Sequence, residues 1–381
     1  MPLPTLPPIT TTVLMTTEET GQEQDTLGGG FDPAQAFKGD LANFNLWDRE
    51  LEGVDILNST HDCSCDIEGN VFSWKSDSLD ITGTALVSAI DFCPQPSLTN
   101  VALDKNATQS SDWSVSFPAS NAVDGNTNTH WVSGSCTSTL SDINAWWKVD
   151  LGENYLVYEV ILTNRLDPCC KTRILNSEVR IGVSDVISEN IRCGELVTLE
   201  QTSQSDIVFE CDSPIVGRYA SLQLVDRTDL LNFCEMQVMA IENIALNGIA
   251  SQSSTASGGL PVRAIDGNDS STYSQGSCMH TLKELNSWWK VDLETTYDIF
   301  KVVITNRGDC CEDRIDGAVV LIGENADISQ NHQCGVQIDW NSNTYEERIP
   351  FDCQLSGRYV GVQLKDHNNW LTLCEVEVYG S

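Results

Sequence analysis

Trp146-Trp147-Lys148-Val149-Asp150-Leu151 returns 142 positions later as Trp288-Trp289-Lys290-Val291-Asp292-Leu293. In the second copy Trp289, Val291 and Leu293 alternate with Trp288, Lys290 and Asp292. An apolar period of two belongs to a strand with one buried face, because successive side chains point to opposite sides. Val360, Val362 and Leu364 alternate in the same way with Gly361, Gln363 and Lys365. Short alternating strands, separated by loops of Asp, Asn, Gly and Ser and with no long amphipathic helix, predict an all-β antiparallel sandwich.

The duplication extends well beyond these six residues. Asn100-Val101-Ala102-Leu103 returns as Asn243-Ile244-Ala245-Leu246, and Gly134-Ser135-Cys136 as Gly276-Ser277-Cys278. Thr163-Asn164-Arg165 returns as Thr305-Asn306-Arg307, and Cys234-Glu235 as Cys374-Glu375. A near-constant offset means two homologous domains, placed at 100–242 and 243–381. The second starts where the first ends, so the two sandwiches are expected to touch. Residues 1–20 are rich in Pro and Thr and read as a disordered leader or O-glycosylated stalk. Residues 21–93 have a different composition, and 94–99, with Pro94-Gln95-Pro96-Ser97, read as a linker.

The 381 residues carry 55 acidic and 21 basic side chains, a formal charge of −34. Such a surface repels phosphate backbones and anionic lipid, which argues against nucleic acid or acidic membranes as partners. Most of the charge serves solubility, but hard carboxylate oxygens also make calcium a natural ligand. Among 15 cysteines there is no CxxC pair, and Cys63-Ser64-Cys65 alone has a metal-type spacing. The framework therefore reads as disulfides formed in an oxidising compartment. No apolar run approaches the ~20 residues that span a bilayer. Met1-Pro2-Leu3-Pro4-Thr5 lacks the basic region and apolar core of a signal peptide, so the natural N-terminus is expected to lie further upstream. Sequons stand at Asn58, Asn106 and Asn268; the first two suit a secreted protein.

The chemistry concentrates in Asn306-Arg307-Gly308-Asp309-Cys310-Cys311-Glu312-Asp313-Arg314. Two guanidiniums and three carboxylates flank adjacent cysteines, whose Cα atoms must lie about 3.8 Å apart, under the roughly 4.4–6.8 Å usual for a disulfide. Bonded to each other, they form a rigid, flat apolar plate; bonded elsewhere, they leave a surface ion pair. Asp309 can fix the fork of a neighbouring arginine. Fixed donors beside an apolar plate suit a sugar, whose oxygens accept and whose C–H groups pack.

With these motifs, each repeat resembles an F-type lectin, the fucose-binding family with a discoidin-like, galactose-binding-like jelly roll. The family signature is a His, 26 residues, Arg-x-Asp, four residues, then Arg or Lys. His280 is followed by residues 281–306, Arg307-Gly308-Asp309, residues 310–313 and Arg314. The resemblance implies that His280, Arg307 and Arg314 hydrogen-bond the ring oxygen and hydroxyls of α-L-fucose. It also implies that the sugar packs on a Cys310–Cys311 disulfide, with Tyr273 walling the 6-methyl group. The first repeat keeps Arg165, Asp167, Cys169, Cys170 and Arg173, but Ser138 stands in place of His280 and Pro168 lengthens the turn. His130, 34 residues (131–164) before Arg165, does not replace the histidine. A lost strong hydrogen bond is worth about 1.5–3 kcal/mol, roughly ten- to 150-fold in affinity. The first repeat is therefore expected to bind fucose weakly, differently or not at all.

The same resemblance implies the pairs Cys136–Cys234, Cys278–Cys374, Cys193–Cys211 and Cys334–Cys353, besides the two vicinal bridges. It implies a structural calcium ion in each repeat. In the second the ligands are Asp266, Asn268, Ser277 and Glu375 with carbonyls near Arg263 and Cys374. In the first they are Asn121, Asp124, Asn126, Ser135, Cys234 and Glu235.

Upstream, Gly21-Gln22-Glu23-Gln24-Asp25, Phe31-Asp32-Pro33-Ala34-Gln35 and Gly39-Asp40-Leu41-Ala42-Asn43-Phe44-Asn45-Leu46-Trp47-Asp48 resemble the C-terminal half of a pentraxin, a calcium-binding jelly roll. The match implies calcium ligands at Glu23, Gln24, Asp25, Asp32 and Gln35. The family's first half is absent, and half a sandwich leaves open sheet edges. Cys63, Cys65 and Cys93 are odd in number, so one bridge and one free or intermolecular thiol are expected.

The function expected is that of a secreted, calcium-dependent lectin, not an enzyme, recognising terminal L-fucose on glycans or microbes. Its partners would be fucosylated glycans, with avidity gained by a homo-oligomer. The competing class is a discoidin-like adhesion module that binds protein or lipid through apolar loop tips. A redox switch at the vicinal cysteines is a weaker alternative.

Overall fold

The computed structural model describes residues 97–340 and 347–381, together with five short strands nearer the N-terminus. The chain divides into the units Met1–Gln95 and Pro96–Ser381. In the first, Leu14–Thr16 pairs antiparallel with Glu19–Thr20 and parallel with Thr82–Gly83, and Asn45–Leu46 pairs with Phe72–Ser73. The pentraxin-type calcium residues Glu23, Gln24, Asp25, Asp32 and Gln35 lie outside the described residues. So do Cys63, Cys65, Cys93 and the Asn58 sequon.

The second unit is all-β, with helical turns only of the 3-10 kind among the described residues. In the first repeat the main sheet runs Ile191–Cys193, Ser177–Gly182, Asp206–Leu224, Trp146–Thr163, Glu235–Ile241 and Thr99–Asn100, with Asn106–Gln109 also on Trp146–Thr163. The second repeat arranges Ile249–Gln252, Trp288–Thr305, Arg348–Leu364, Ala318–Gly323 and His332–Cys334 in that order, and Glu375–Gly380 joins Trp288–Thr305. The pairing is antiparallel throughout both sandwiches.

The strands are longer than the alternation predicts. Trp146–Thr163 and Trp288–Thr305 each have 18 residues, and Asp206–Leu224 has 19. The reason is that each bends instead of stopping. Trp146–Asp150 faces Tyr219–Gln223, whereas Glu159–Thr163 faces Asp206–Glu210, with register breaks between. At the bends Gly152 has φ 91° and Glu294 φ 67°. A bulged strand that turns a corner serves both layers of a sandwich.

The alternation delivers the cores. Trp147, Val149 and Leu151 are fully buried in the first repeat, as are Trp289 and Val291 in the second. Each core Trp satisfies its indole N–H, Trp147 donating to Ala119 O and Trp289 to Pro261 O, both at 2.9 Å. Outward-facing Asp150 and Asp292 accept paired bonds from Arg218 (2.6 and 2.9 Å) and Arg358 (2.7 and 2.8 Å). Cys136–Cys234, Cys193–Cys211, Cys278–Cys374 and Cys334–Cys353 are bonded as the family resemblance implies.

The two repeats do touch. Leu156 and Ile241 of the first form one apolar cluster with Val303 and Tyr379 of the second. Beside it Asn154 Nδ2 donates to Glu377 Oε1 at 2.7 Å and to Asp269 Oδ2 at 3.2 Å.

Candidate functional site

In the second repeat three short elements bring the signature residues together. His280 lies on the strand Met279–His280, opposite Thr372 of Thr372–Leu373. Arg307 and Asp309 follow the end of Trp288–Thr305, and Arg314 sits in the 3-10 turn Glu312–Ile315. Asn306 anchors the loop between them. Its amide N–H donates to Glu347 O at 2.7 Å and its Nδ2 to Glu312 O at 3.0 Å.

Arg307 donates through Nε to Asp309 Oδ1 at 2.5 Å and through Nη2 to Oδ2 at 3.4 Å. Its guanidinium lies 4.6 Å from the Tyr273 ring centroid. The Arg307 hydrogen bond holds the Asp309 carboxyl below its ordinary range, so the pair is a fixed ion pair. Nη1 of Arg307 donates to no protein group among the described residues and remains available to a ligand. Tyr273 also stands edge-on to His280, at 5.9 Å and 85°.

His280 has a defined tautomer. Nδ1 is 2.7 Å from Thr281 O, which can only accept, so Nδ1 carries the proton. Nε2 lies 3.1 Å from Arg314 Nη1, which can only donate, so Nε2 presents its lone pair. Burial, reinforced by Arg314 and Arg307, holds the imidazole below its ordinary pKa. Arg314 stacks on Trp370, 4.8 Å from its centroid. Cys310 and Cys311 are bonded to each other, with Cα atoms 3.8 Å apart. Cys311 adopts φ 61°, which turns the plate into the loop carrying Arg314.

The arrangement offers guanidinium donors and one imidazole acceptor around an apolar disulfide. A hydroxyl group inserted between Arg314 Nη1 and His280 Nε2 would replace the bond between them, accepting from the arginine and donating to Nε2. Trp370 escaped the sequence reading, because the corresponding residue of the first repeat is Leu230 and duplication gives no signal there.

The first repeat assembles its counterparts differently. Cys169 and Cys170 are bonded, and Arg165 Nε donates to Asp167 Oδ2 at 2.6 Å. However, Arg165 Nη1 donates to Asn232 Oδ1 at 3.3 Å, and its Nη2 lies 3.8 Å from Cys169 Sγ. All three guanidinium nitrogens thus have protein partners. Trp131, the counterpart of Tyr273, covers Arg165 at 4.2 Å. Phe117 stacks on Trp131 at 3.5 Å, and Trp113 stands edge-on to both. Arg173 lies in the turn Lys171–Ile174, and Ser138 is fully buried. The His130 side chain is 62% exposed, with Nδ1 3.7 Å from Asp167 Oδ1.

Each repeat also buries a carboxylate. Glu235 and Glu375 are 0% and 1% exposed. Their Oε1 atoms accept from Gly125 N (3.1 Å) and Gly267 N (3.2 Å), while both Oε2 atoms lack a partner. Burial pushes these carboxyls up to about 7 and about 9. The adjoining loops bring oxygen donors. Asp124 and Asp266 accept from the amides of Asn126 and Asn268 (2.9 and 3.0 Å). Ser135 and Ser277 donate to Asn128 O and Thr272 O. The side chains of Asn121 and Arg263, which occupy equivalent positions, donate to Cys136 O (3.1 Å) and Cys278 O (3.5 Å). No cluster of three or more His, Cys, Asp or Glu side chains suited to a metal occurs among the described residues. An ion here would rely on carbonyl and hydroxyl oxygens around one buried carboxylate. Orphaned Oε2 and an all-oxygen donor set fit a hard cation such as calcium.

The fold defines a class: tandem β-sandwich domains of the discoidin type, each carrying an arginine–aspartate pair and a vicinal disulfide just after its Trp146–Thr163 or Trp288–Thr305 strand. The family profile described as NedA-like, galactose-binding domain matches residues 121–222 and 263–362, and that of the Pentaxin family matches 12–89. The chain belongs to the first of these families, as two F-type lectin (fucolectin) domains in tandem behind a pentraxin-type segment. Fucolectin-5 of Anguilla japonica is 48% identical over 148 residues, which cover 36% of this chain and 75% of that one. The pentraxin fusion protein of Xenopus laevis is 42% identical over 142 residues, 36% of this chain but only 33% of that protein's length. A solved fucolectin from striped bass (Morone saxatilis) serum is 37% identical, covering 74% of this chain and 98% of its own at a TM-score of 0.41. Among the described residues no helix is long and apolar enough to cross a membrane.

Proposed function

We propose that this chain is a secreted, calcium-stabilised lectin whose second repeat binds terminal L-fucose on glycans, including those of microbes. The observation that carries the proposal is the neutral imidazole of His280, its Nε2 lone pair held 3.1 Å from Arg314 beside the Asp309-fixed Arg307. A sugar hydroxyl entering there replaces the Arg314–His280 bond, accepting from Arg314 and donating to His280. Arg307 Nη1 supplies a further donor, and the Cys310–Cys311 plate packs the C–H face. The names of the fucolectin relatives support this ligand. Binding requires no chemistry, and Asp309, kept anionic by Arg307, is a poor proton shuttle, so the chain acts as a binder and not an enzyme. Useful avidity then needs several sites, which self-association into a homo-oligomer would provide.

The test is immobilised fucosylated glycan presented to the wild-type chain and to His280→Ala. Binding inhibited by free L-fucose and lost in the variant supports the proposal. Binding that survives the substitution and ignores fucose favours a discoidin-like adhesion module for protein or lipid.

Affinity has a defined pH response. Protonating Nε2 removes the only imidazole acceptor and sets a cation against Arg314. With the folded pKa depressed, fucose binding is expected to stay level from pH 8 through about 6.5 and to decline only below it. The same group makes folding less favourable as pH falls, since the unfolded chain takes up the proton first. A titration series across pH 5–8 in which binding already declines above the ordinary imidazole value would contradict this.

In each repeat calcium would be held by Glu235 or Glu375, the neighbouring aspartate and loop oxygens, as a structural ion that fixes loops without touching sugar. Chelation is therefore expected to lower the melting temperature, and calcium but not magnesium to restore it. Glu375→Gln should abolish the restoration in the second repeat. Identical melting in calcium and chelator would refute the site.

A further inference from the structure

We infer that Asn154 of the first repeat is a positioning residue for the sugar pocket of the second, completing a buried ion network that braces the Arg307 loop from both sides. The network stands on geometry alone; its meaning for sugar binding rests on the fucose reading above. At its centre Glu377 is a buried carboxylate. Its Oε1 accepts from Asn154 Nδ2 at 2.7 Å, and its Oε2 from Arg348 Nη2 at 2.6 Å and the Tyr379 hydroxyl at 2.9 Å. Asp269 Oδ2 joins them, accepting from Asn154 Nδ2 at 3.2 Å and from Arg348 Nη1 at 3.4 Å. Ionised carboxylates only accept, so the Asn154 amide turns its nitrogen to both. A charge held out of water is tolerated only when it is paired and hydrogen-bonded. Glu377 therefore depends on a donor from the other repeat.

The duplication marks this network as specific to the contact between repeats. Asp269, Arg348 and Glu377 stand where the first repeat has Thr127, Asp206 and Gln237, and Asn154 stands where the second has Thr296. Asp206 instead accepts from Thr163 Oγ1 at 2.8 Å, and Thr296 donates to Glu324 at 3.0 Å. The three charges thus occur only in the copy whose face is covered, and the amide only in the copy that covers it. From the network two backbone bonds reach the pocket. Gly308 N donates to Ser271 O at 2.9 Å, two residues beyond Asp269, and Asn306 N donates to Glu347 O at 2.7 Å, one residue before Arg348. These bonds flank Arg307, which holds Asp309 and faces Tyr273. Displacing Asp269 and Arg348 moves both anchors of its loop. The first repeat, whose own Arg165 is engaged by Asn232 and covered by Trp131, serves the second as a brace.

The experiment compares wild type, Asn154→Asp and Asn154→Asp/Glu377→Gln as full, oxidised, calcium-loaded chains. It reads L-fucose affinity and amide hydrogen exchange across residues 305–309. Asn154→Asp sets a carboxylate against Glu377 and Asp269. It is expected to weaken fucose binding about two- to thirtyfold and to quicken exchange at Asn306 and Gly308. Glu377→Gln supplies an amide that donates to the new carboxylate, reversing the original bond, so the double variant should recover part of both losses. If Asn154→Asp does not fold, Asn154→Ala makes the same test with a smaller effect.

Val179→Ala separates bracing from general destabilisation. Val179 is fully buried in the core of the first repeat and pairs with Leu222, away from the contact between repeats. Its substitution should lower the melting temperature and move neither readout. Affinity and exchange both unchanged in folded Asn154→Asp, or changed equally by Val179→Ala, would overturn the brace. Quickened exchange with fucose affinity intact would overturn its role in sugar binding. A wild-type chain blind to fucose, with exchange still quickened by Asn154→Asp, would sink the ligand assignment and leave the brace standing.

Discussion

Arg307→Ala is expected to abolish measurable fucose binding while leaving the second repeat folded. Arg307 holds Asp309 through two nitrogens and lies flat on Tyr273. Truncating one member of a hydrogen-bonded charge pair at a binding site costs about 2–5 kcal/mol, or roughly 30- to 5,000-fold in affinity. Arg307→Lys is the sharper form of the test. It keeps the charge but loses the planar fork that engages Asp309 and the face that stacks on Tyr273. A lysine variant that binds like wild type would mean that charge alone suffices and that the fixed donor geometry is irrelevant. The melting temperature should change little, because the pair lies at the pocket and not in the core.

Trp289→Ala carries the largest expected effect on stability. Its side chain is fully buried, and its indole N–H is satisfied by Pro261 O at 2.9 Å. Removing a buried tryptophan costs about 3–5 kcal/mol, on the order of 10–20 °C for a domain of this size. Trp147→Ala should act alike on the first repeat, where Trp147 also packs edge-on against Phe233 at 5.4 Å. Denaturant unfolding checks both. A loss under about 1 kcal/mol, typical of surface changes, would contradict the assignment of this motif to the core.

What could be read from sequence followed from how local each constraint is. Trp146–Leu151 and Trp288–Leu293 announced their strands because a half-buried strand must alternate, and duplication marked them twice. The signature spacing placed His280, Arg307 and Arg314 in one pocket, and the structure brings them together. The vicinal bridge also formed as the resemblance implied. Trp370 was invisible because it reaches Arg314 from a connection 56 positions away, between Asn368–Asn369 and Thr372–Leu373, with Leu230 in its place in the first repeat. The long bent strands were missed because the alternation from Trp147 to Leu151 and from Trp289 to Leu293 breaks at the corner residues Gly152 and Glu294. For the first repeat, Ser138 marked the missing imidazole. The capture of Arg165 by Asn232 and its cover by Trp131 needed coordinates.

The most direct measurement is a calorimetric titration of L-fucose into the full, oxidised, calcium-loaded chain, repeated with His280→Ala. The account predicts saturable binding with one sugar per chain, lost in the variant. No binding by the wild-type chain, or an unchanged isotherm in His280→Ala, would contradict it.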